Sequence, residues 1–495
     1  MGGGGKKMKF QCQKIRCLRF IFFLGMFLPA ILSAQLISLK TVPVATGDQF
    51  LLFPSQNLGM GGISVALDDT LHDPFVNPAK GCLVRGISLF SSPMFYRISE
   101  RNGAARTLPL GILFGAKKWF GSLSLSIQQL DASRPNQFQL LSDKSSNNMY
   151  AFGSVGAKLS DSNTAIGASL FWASLNAMEG VGMLYSRSEK IEQFGNQTDF
   201  RMGLLTQWKT GRAFEAVLIY NHLRMTHDVD YPVVFLPFDN YIVIPPPWTT
   251  RTERNLDHSN TWGIHVGYKE PIPGSIWCIG GVLTGNWKSH PKIPNYEIMN
   301  IPRDPGNSKA YNIGVGLSCQ KKESVFGIDV IYEPIWSSTW AEADQRTVTQ
   351  KGRIIQRGQK TVENDFDFSN WLVRTGFTLE NATLGFQMGL EARSIRYWMD
   401  QHNYAEEFFR KQHESWMEWR VSLGLILKWK DLQIRYLGLL TMGTGEPGIT
   451  FTNPPWISSE VNAAYSDLII APRGPLTLQE VHILTHQITL LFPIQ

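Results

Sequence analysis

Over most of its length the chain alternates apolar with polar or small side chains residue by residue, which is the period of an extended strand and not of a helix. In 122–128, Leu123, Leu125 and Ile127 alternate with Ser122, Ser124, Ser126 and Gln128. In 262–268, Trp262, Ile264, Val266 and Tyr268 alternate with Gly263, His265 and Gly267. The pattern returns at Ile166, Ala168, Leu170 and Trp172, at Leu384, Phe386, Met388 and Leu390, and at Val421, Leu423, Leu425, Leu427 and Trp429. A strand that crosses an outer membrane needs about 9–11 residues with one face for lipid and the other for a lumen. So many long runs of this kind predict an all-β fold, a transmembrane antiparallel β-barrel.

The connections supply an independent reading, because such barrels have short turns at one end and long loops at the other. Tight-turn candidates fall at 117–118, 160–163, 210–212, 270–274, 321–322, 380–382 and 430–431. Longer stretches lie between them, near 130–148, 175–199, 225–259, 288–308, 335–367, 396–415 and 441–481. Counting strands around these turns gives fourteen, and adding 86–96 and 485–492 gives sixteen; both are even. A closed barrel of either size leaves a lumen too wide for strand side chains to fill. Something else must occupy or gate it.

The first residues indicate where such a barrel would be made. Lys6, Lys7, Lys9, Lys14, Arg16 and Arg19 precede an apolar stretch at 20–32, and Ser33 and Ala34 offer a cut before Gln35. The thirteen apolar residues are interrupted by Pro29 and fall short of the roughly 20 that a helix needs to span a bilayer. We read 1–34 as a signal peptide, 35–85 as a separate segment preceding the wall, and 86–495 as an outer-membrane barrel of a Gram-negative cell. Removing the six basic residues of 1–34, which hold no acidic ones, leaves 41 basic against 41 acidic residues. A chain so balanced lacks the basic excess of a nucleic-acid partner. Cys82, Cys278 and Cys319 remain, without the paired spacing of a metal site. Fifteen Trp, 29 Phe and 44 Gly suit aromatic girdles and glycine-rich strands.

The segment 35–85 breaks the alternation. Its centre reads Gln56-Asn57-Leu58-Gly59-Met60-Gly61-Gly62-Ile63-Ser64-Val65-Ala66-Leu67-Asp68-Asp69, followed by Phe75-Val76-Asn77-Pro78-Ala79-Lys80-Gly81. Glycine opens backbone conformations closed to other residues, and Asn-Pro favours a turn. A Gly-Met-Gly-Gly stretch, small apolar residues, an acidic turn and Asn-Pro-Ala, in that order before the first strands, resemble the FadL family of long-chain fatty-acid transporters. The likeness extends to its Bacteroidetes relatives, including the barrel of type IX secretion. It is close over about 25 residues, at 57–81, and architectural beyond them. His72-Asp73-Pro74 and Lys80-Gly81 depart from the family's pattern. The resemblance implies a barrel of fourteen strands with an N-terminal hatch in its lumen, in which hydrophobic compounds are caught and released sideways into the membrane. It places Gly59, Gly61, Gly62, Asn77, Pro78 and Ala79 in the hatch, either as turns that let it fold or as part of its gating.

No catalytic pattern accompanies these features: there is no Gly-x-Ser-x-Gly elbow, phosphate loop or His-Glu-x-x-His, so no enzyme, cofactor or metal is expected. Asp68 and Asp69 read as turn or cap residues. His402, Glu406, Glu407 and His413 would share a face if helical and could then clip a metal; a solvated outer loop is the other reading. The loop at 225–259 is unusual in placing Phe235, Leu236, Phe238, Tyr241 and Trp248 where water is expected. Exposed apolar patches of this kind mark capture of a hydrophobic ligand or a partner protein, unless the loop packs on itself over the barrel mouth. Two functions follow. One is passive uptake of hydrophobic small molecules, such as long-chain fatty acids, into the lipid bilayer. The alternative is a non-enzymatic accessory that binds secreted or surface proteins through external loops.

Overall fold

The computed structural model describes residues 36–37, 46–99, 103–131, 145–159, 163–181, 190–232, 250–290, 306–343, 345–349, 351–405, 407–448 and 477–494. Sixteen antiparallel strands close on themselves. They are β1 (Gly86–Ser91 continued by Met94–Ile98), β2 (Ala104–Gly115), β3 (Trp119–Asp131), β4 (Ser145–Lys158), β5 (Thr164–Leu175), β6 (Lys190–Gln207), β7 (Ala213–Pro232) and β8 (Thr250–Pro271). The second half comprises β9 (Trp277–His290), β10 (Gly306–Lys321), β11 (Ser324–Glu342), β12 (Lys360–Glu380), β13 (Leu384–Asn403), β14 (Phe408–Lys428), β15 (Gln433–Gly448) and β16 (Thr477–Ile494). Every strand pairs with its sequence neighbours. Closure comes from β1 against β16, from Ile87 opposite Ile494 to Ile98 opposite Ile483. Pro93 has no N–H to give the ladder, which is why β1 lapses at Ser92 and Pro93.

Sixteen is the number obtained when 86–96 and 485–492 are added to the fourteen strands counted around the turns, two more than the resemblance implies. Both added segments are wall: 86–96 lies in β1, and 485–492 lies in β16. The alternation faces as expected. Leu123, Leu125 and Ile127 are 53%, 58% and 58% exposed on the outside, while Ser122, Ser124, Ser126 and Gln128 are buried on the inside. Leu384, Phe386, Met388, Leu423, Leu425 and Leu427 also point outward, with Trp119, Trp262, Tyr268, Trp371 and Trp429 near the edges of the apolar band. A surface of this kind suits lipid, and a closed ladder leaves no unpaired sheet edge inside it. No helix among the described residues is long and apolar enough to cross a membrane.

At the other end the wall is taller than its hydrophobicity reveals. The stretches 175–199, 225–259, 335–367 and 396–415 read as long loops, yet much of each is strand: β6 begins at Lys190, β7 runs to Pro232, β12 starts at Lys360, and β13 and β14 are joined by 404–407 alone. Their alternation is between polar residues, so no apolar signal marks it. Lys411, His413 and Ser415 stand outside, and Arg410, Gln412 and Glu414 are turned inward. His402 and His413 therefore sit on two strands opposite Phe409 and Trp398, not on one helical face. Glu406 and the residues Phe235, Leu236, Phe238, Tyr241 and Trp248 lie outside the described residues, as does 1–35.

The short turns put both ends of the wall, near Gly86 and Ile494, on the side that faces the periplasm in such barrels. Residues 46–85 fold back into the lumen as a hatch. It has only one-turn and short 3-10 helices, Leu58–Met60, Asp73–Val76 and Pro78–Leu83, and relies on the wall for its core. Met60, Ile63, Val65, Phe75 and Ala79 are each less than 5% exposed. A large apolar side chain buried to this extent contributes roughly 1.5–3 kcal/mol.

Candidate functional site

The hatch is organised around Asp69, which fills the turn-and-cap role expected of it. One carboxylate oxygen accepts from Ser55 Oγ at 2.5 Å, Gln56 N at 2.8 Å and Asn57 N at 3.0 Å. The other accepts from Leu71 N at 3.1 Å and His72 N at 3.0 Å. Gly61 and Gly62 have φ of 81° and 71°, the left-handed region that side chains other than glycine's resist. Their turn seats directly on the wall. Gly61 N donates to Ser422 Oγ at 3.0 Å, Ser422 Oγ donates to Gly59 O at 3.1 Å, and Arg374 Nη1 donates to Gly62 O at 3.2 Å. Asp329 accepts from Ser64 N at 2.9 Å, and Gln387 Nε2 donates to Gln56 O at 2.8 Å. This closeness depends on Gly389 of the wall, where a Cβ would collide with the backbone of Met60 and Gly61.

Asn77, Pro78 and Ala79 occupy the opposite side of the lumen. Asn77 Oδ1 accepts from Ala79 N at 3.1 Å, capping the Pro78–Leu83 turn, and Asn77 Nδ2 donates to Glu215 Oε2 at 2.8 Å on β7. Gly167 of β5 admits them, since a Cβ there would lie 2.7 Å from the Pro78 carbonyl carbon. All six hatch residues singled out in the sequence are thus against the wall, in two groups. Between the groups, Phe53 and Phe75 stack with ring centres 4.1 Å apart, and Phe152 and Phe90 meet Phe75 edge-on.

Beside Asn77 lies a buried ionic cluster. Lys80 Nζ is 3.1 Å from Asp73, 3.0 Å from Glu215 and 3.7 Å from Asp68, and Lys269 of β8 pairs with Asp68. Burial draws the Lys80 ammonium down, but Asp73, Glu215 and Asp68 outweigh it and hold the group well above its ordinary range. Burial pushes the Asp68 carboxyl up, and Lys80 with Lys269 more than reverse this, leaving it below the usual carboxylate range. Burial also drives the Asp73 carboxyl up to about 7, Lys80 offsetting only part of this while Asp68, Asp69 and Glu215 add to it. Two ammonium groups face three carboxyls, and Asp73 is the one whose ionisation burial opposes.

The hatch is also tied to the outer side. Glu179, beyond β5, accepts from Gly47 N at 2.6 Å and from Tyr96 Oη at 2.9 Å, while Gln49 Nε2 donates to Ala177 O at 3.0 Å. Burial pushes the Glu179 carboxyl up to about 8, against the hydrogen bonds from Tyr96 and Gly47. Above the lipid band the wall reverses its polarity. Asp365 and Asp367 point outward there, and Phe366, Phe368, Tyr397, Met399 and Ile335 form a buried cluster on the lumen side, packed with Trp416.

Asp73 and Lys80, the centre of the ionic cluster, are two of the residues at which the sequence departs from the family pattern, so the departure was itself the available signal. The receiving glycines are visible only as small lumen-facing positions. The inverted aromatic patch had no signal of its own, because polar neighbours on the outer face hide it.

Neither protein-family models nor curated protein sequences match the chain. Solved structures do. A FadL homologue from Pseudomonas aeruginosa aligns over 91% of this chain and all of its own, at 10% identity and a TM-score of 0.45. The toluene transporter TodX from Pseudomonas putida aligns over 88% of this chain and 96% of its own, at 11% identity and a TM-score of 0.37. The siderophore receptor PirA from Acinetobacter baumannii aligns over 83% and 80%, at 6% identity and a TM-score of 0.34. What the lumen of this chain can do follows from its own residues.

Proposed function

We propose that this chain is an outer-membrane channel for passive entry of hydrophobic small molecules, closed by residues 46–85 acting as a hatch. The observation that carries this reading is the reversed polarity above the lipid band. A pore for hydrated solutes presents polar side chains to its lumen. Here Phe366, Phe368, Tyr397 and Met399 turn inward and, packed with Ile37 and each no more than 3% exposed, fill this part of the lumen with apolar side chains that offer a hydrated solute no partners. The Phe53, Phe75 and Phe152 contacts continue this chemistry between hatch and wall. Gly59, Gly61, Gly62, Asn77, Pro78 and Ala79 are the contacts that a gating movement would break, and long-chain fatty acids are one ligand class of suitable polarity. The tall outer hairpins, above all β13 with β14, favour a second reading, an accessory that binds secreted or surface proteins.

Uptake by intact Gram-negative cells expressing the chain tests the first reading, because their outer leaflet retards apolar compounds. Entry of an apolar naphthylamine dye is expected to rise, entry of a polar β-lactam to stay unchanged, and Phe368→Asn to slow the dye roughly tenfold. No rise in dye entry, or an equal rise for the polar solute, counts against a hydrophobic channel.

A further inference from the structure

On its outward side, above the lipid band, the wall carries a groove of about 790 Å³ across β10 to β14. Two rows of the sheet line it. In the first, Lys309 stands opposite Trp336, Trp336 opposite Asp367, Asp367 opposite Trp398 and Trp398 opposite His413. In the second, Asp365 faces Asp400, and Asp400 faces Lys411. The first row lies four residues beyond Trp371 on β12 and six beyond Trp419 on β14, two exposed indoles at the edge of the apolar band. At about 3.3 Å per residue and a strand tilt of about 40°, it stands roughly 10–15 Å above that edge. This is the level of sugars, not of acyl chains, in an outer leaflet built from glycolipid.

Two features set the groove apart from an ordinary solvated face. Asp365 and Asp400 are like charges directly opposite each other, which destabilises a sheet, and Lys411 pairs only with Asp400, at 3.0 Å. Among the described residues neither Asp365 nor Asp367 has a hydrogen bond or ion pair. The indoles of Trp336 and Trp398, 48% and 42% exposed, flank the strand of Asp367 at two interstrand spacings, about 10 Å apart. Both are held in place. Tyr311 meets Trp336 edge-on at 5.9 Å; Arg396 and His413 lie 4.5 and 5.1 Å from Trp398, and Arg396 Nε donates to His413 Nε2 at 3.1 Å.

We propose that this groove binds the sugar part of an outer-leaflet glycolipid, with hydroxyls of a neutral sugar on Asp365 and Asp367 and its ring against the indoles. Sugar hydroxyls are donors that an ionised carboxylate accepts strongly. The C–H groups on one face of a sugar ring suit the negative face of an indole. Three carboxylates against two ammonium groups in the lining disfavour a phosphate as the group held here. Position selects the source of the sugar. A molecule seated in this groove stands beside the barrel, and the apolar band directly below, with Leu390 and Leu423 exposed in it, receives its acyl chains. The groove is outside the lumen, so the site stands whether or not the lumen conducts.

Native mass spectrometry of the whole protein, delipidated and held in mixed micelles, tests it with rough lipopolysaccharide, lipid A and the free core oligosaccharide as probes. One molecule of rough lipopolysaccharide is expected to be retained. Lipid A, which lacks the core sugars, should bind about tenfold more weakly, and the free oligosaccharide, which lacks the chains, more weakly again. Trp398→Ala and Asp367→Asn should each weaken retention of the rough form about tenfold and leave that of lipid A unchanged. Trp262→Ala, at an exposed indole outside the groove, should change neither. Unchanged heat-resistant migration on a gel establishes that the variants are intact barrels. Equal retention of lipid A and the rough form, equal retention of the rough form by native and Trp398→Ala proteins, or free oligosaccharide bound as tightly as the glycolipid overturns the proposal. So does a dimer of this chain that Trp398→Ala abolishes, which would make the groove a contact between copies.

Discussion

A valine at Gly389 is expected to unseat the hatch and open the lumen. Its Cβ would fall on the backbone of Met60 and Gly61, which cannot rotate away as a flexible side chain could. Inserting methyl groups into a packed site costs roughly 1–3 kcal/mol when side chains can adjust. Here the obstruction is main chain, so the hatch turn gives way before the wall, whose ladder of hydrogen bonds between β12, β13 and β14 is untouched. In planar bilayers the native protein should show small or no ion conductance, and Gly389→Val large steps like those of a protein lacking 46–85. Gly153→Val is the control, because a Cβ at Gly153 meets nothing within 4 Å. Native-like conductance in Gly389→Val would show that the hatch is not held at this point.

Replacing Lys80 with methionine should loosen the other side of the hatch. Removing one member of a buried ion cluster costs about 3–5 kcal/mol, because the carboxylates left behind have lost their counter-charge. Glu215 and Asp68 are the carboxylates abandoned, at 3.0 and 3.7 Å from the lost ammonium. Hydrogen exchange of 73–83 is expected to quicken at least a hundredfold, while strand amides keep their protection. Asp73→Asn should be far milder, since burial already favours the uncharged form of this carboxyl. The pH dependence has a definite sign. A carboxyl raised to about 7 from 3.8 contributes stability that is fully present below pH 4 and lost as pH rises through 7. His72 acts in the opposite direction, burial holding its imidazole below the ordinary range. The contribution of Asp73 is therefore the difference between the native protein and Asp73→Asn across pH 4–7. Equal slopes for the two proteins would contradict it.

The parts of this architecture that touch lipid were legible in the sequence, because lipid demands unbroken apolar alternation and leaves it written in Leu123, Leu125, Ile127 and their counterparts. The short turns were legible for a similar reason. The upper wall was not, since strands standing in water alternate one polar residue with another, as in 410–415, and look like loop. The hatch could be placed from its glycines and Asn77-Pro78, but not its means of attachment. Gly389 and Gly167 matter for what they leave empty, and Lys80 for three acids drawn from the hatch and one distant strand. Such meetings depend on barrel closure, which no local pattern encodes.

The claim that this barrel holds an apolar small molecule, and not a protein, is tested most directly by native mass spectrometry of the protein extracted gently from its own outer membrane. A single chain retaining an apolar or amphiphilic ligand is expected, with that ligand lost from Gly389→Val. An empty barrel bound stoichiometrically to another protein would contradict it and establish the accessory role instead.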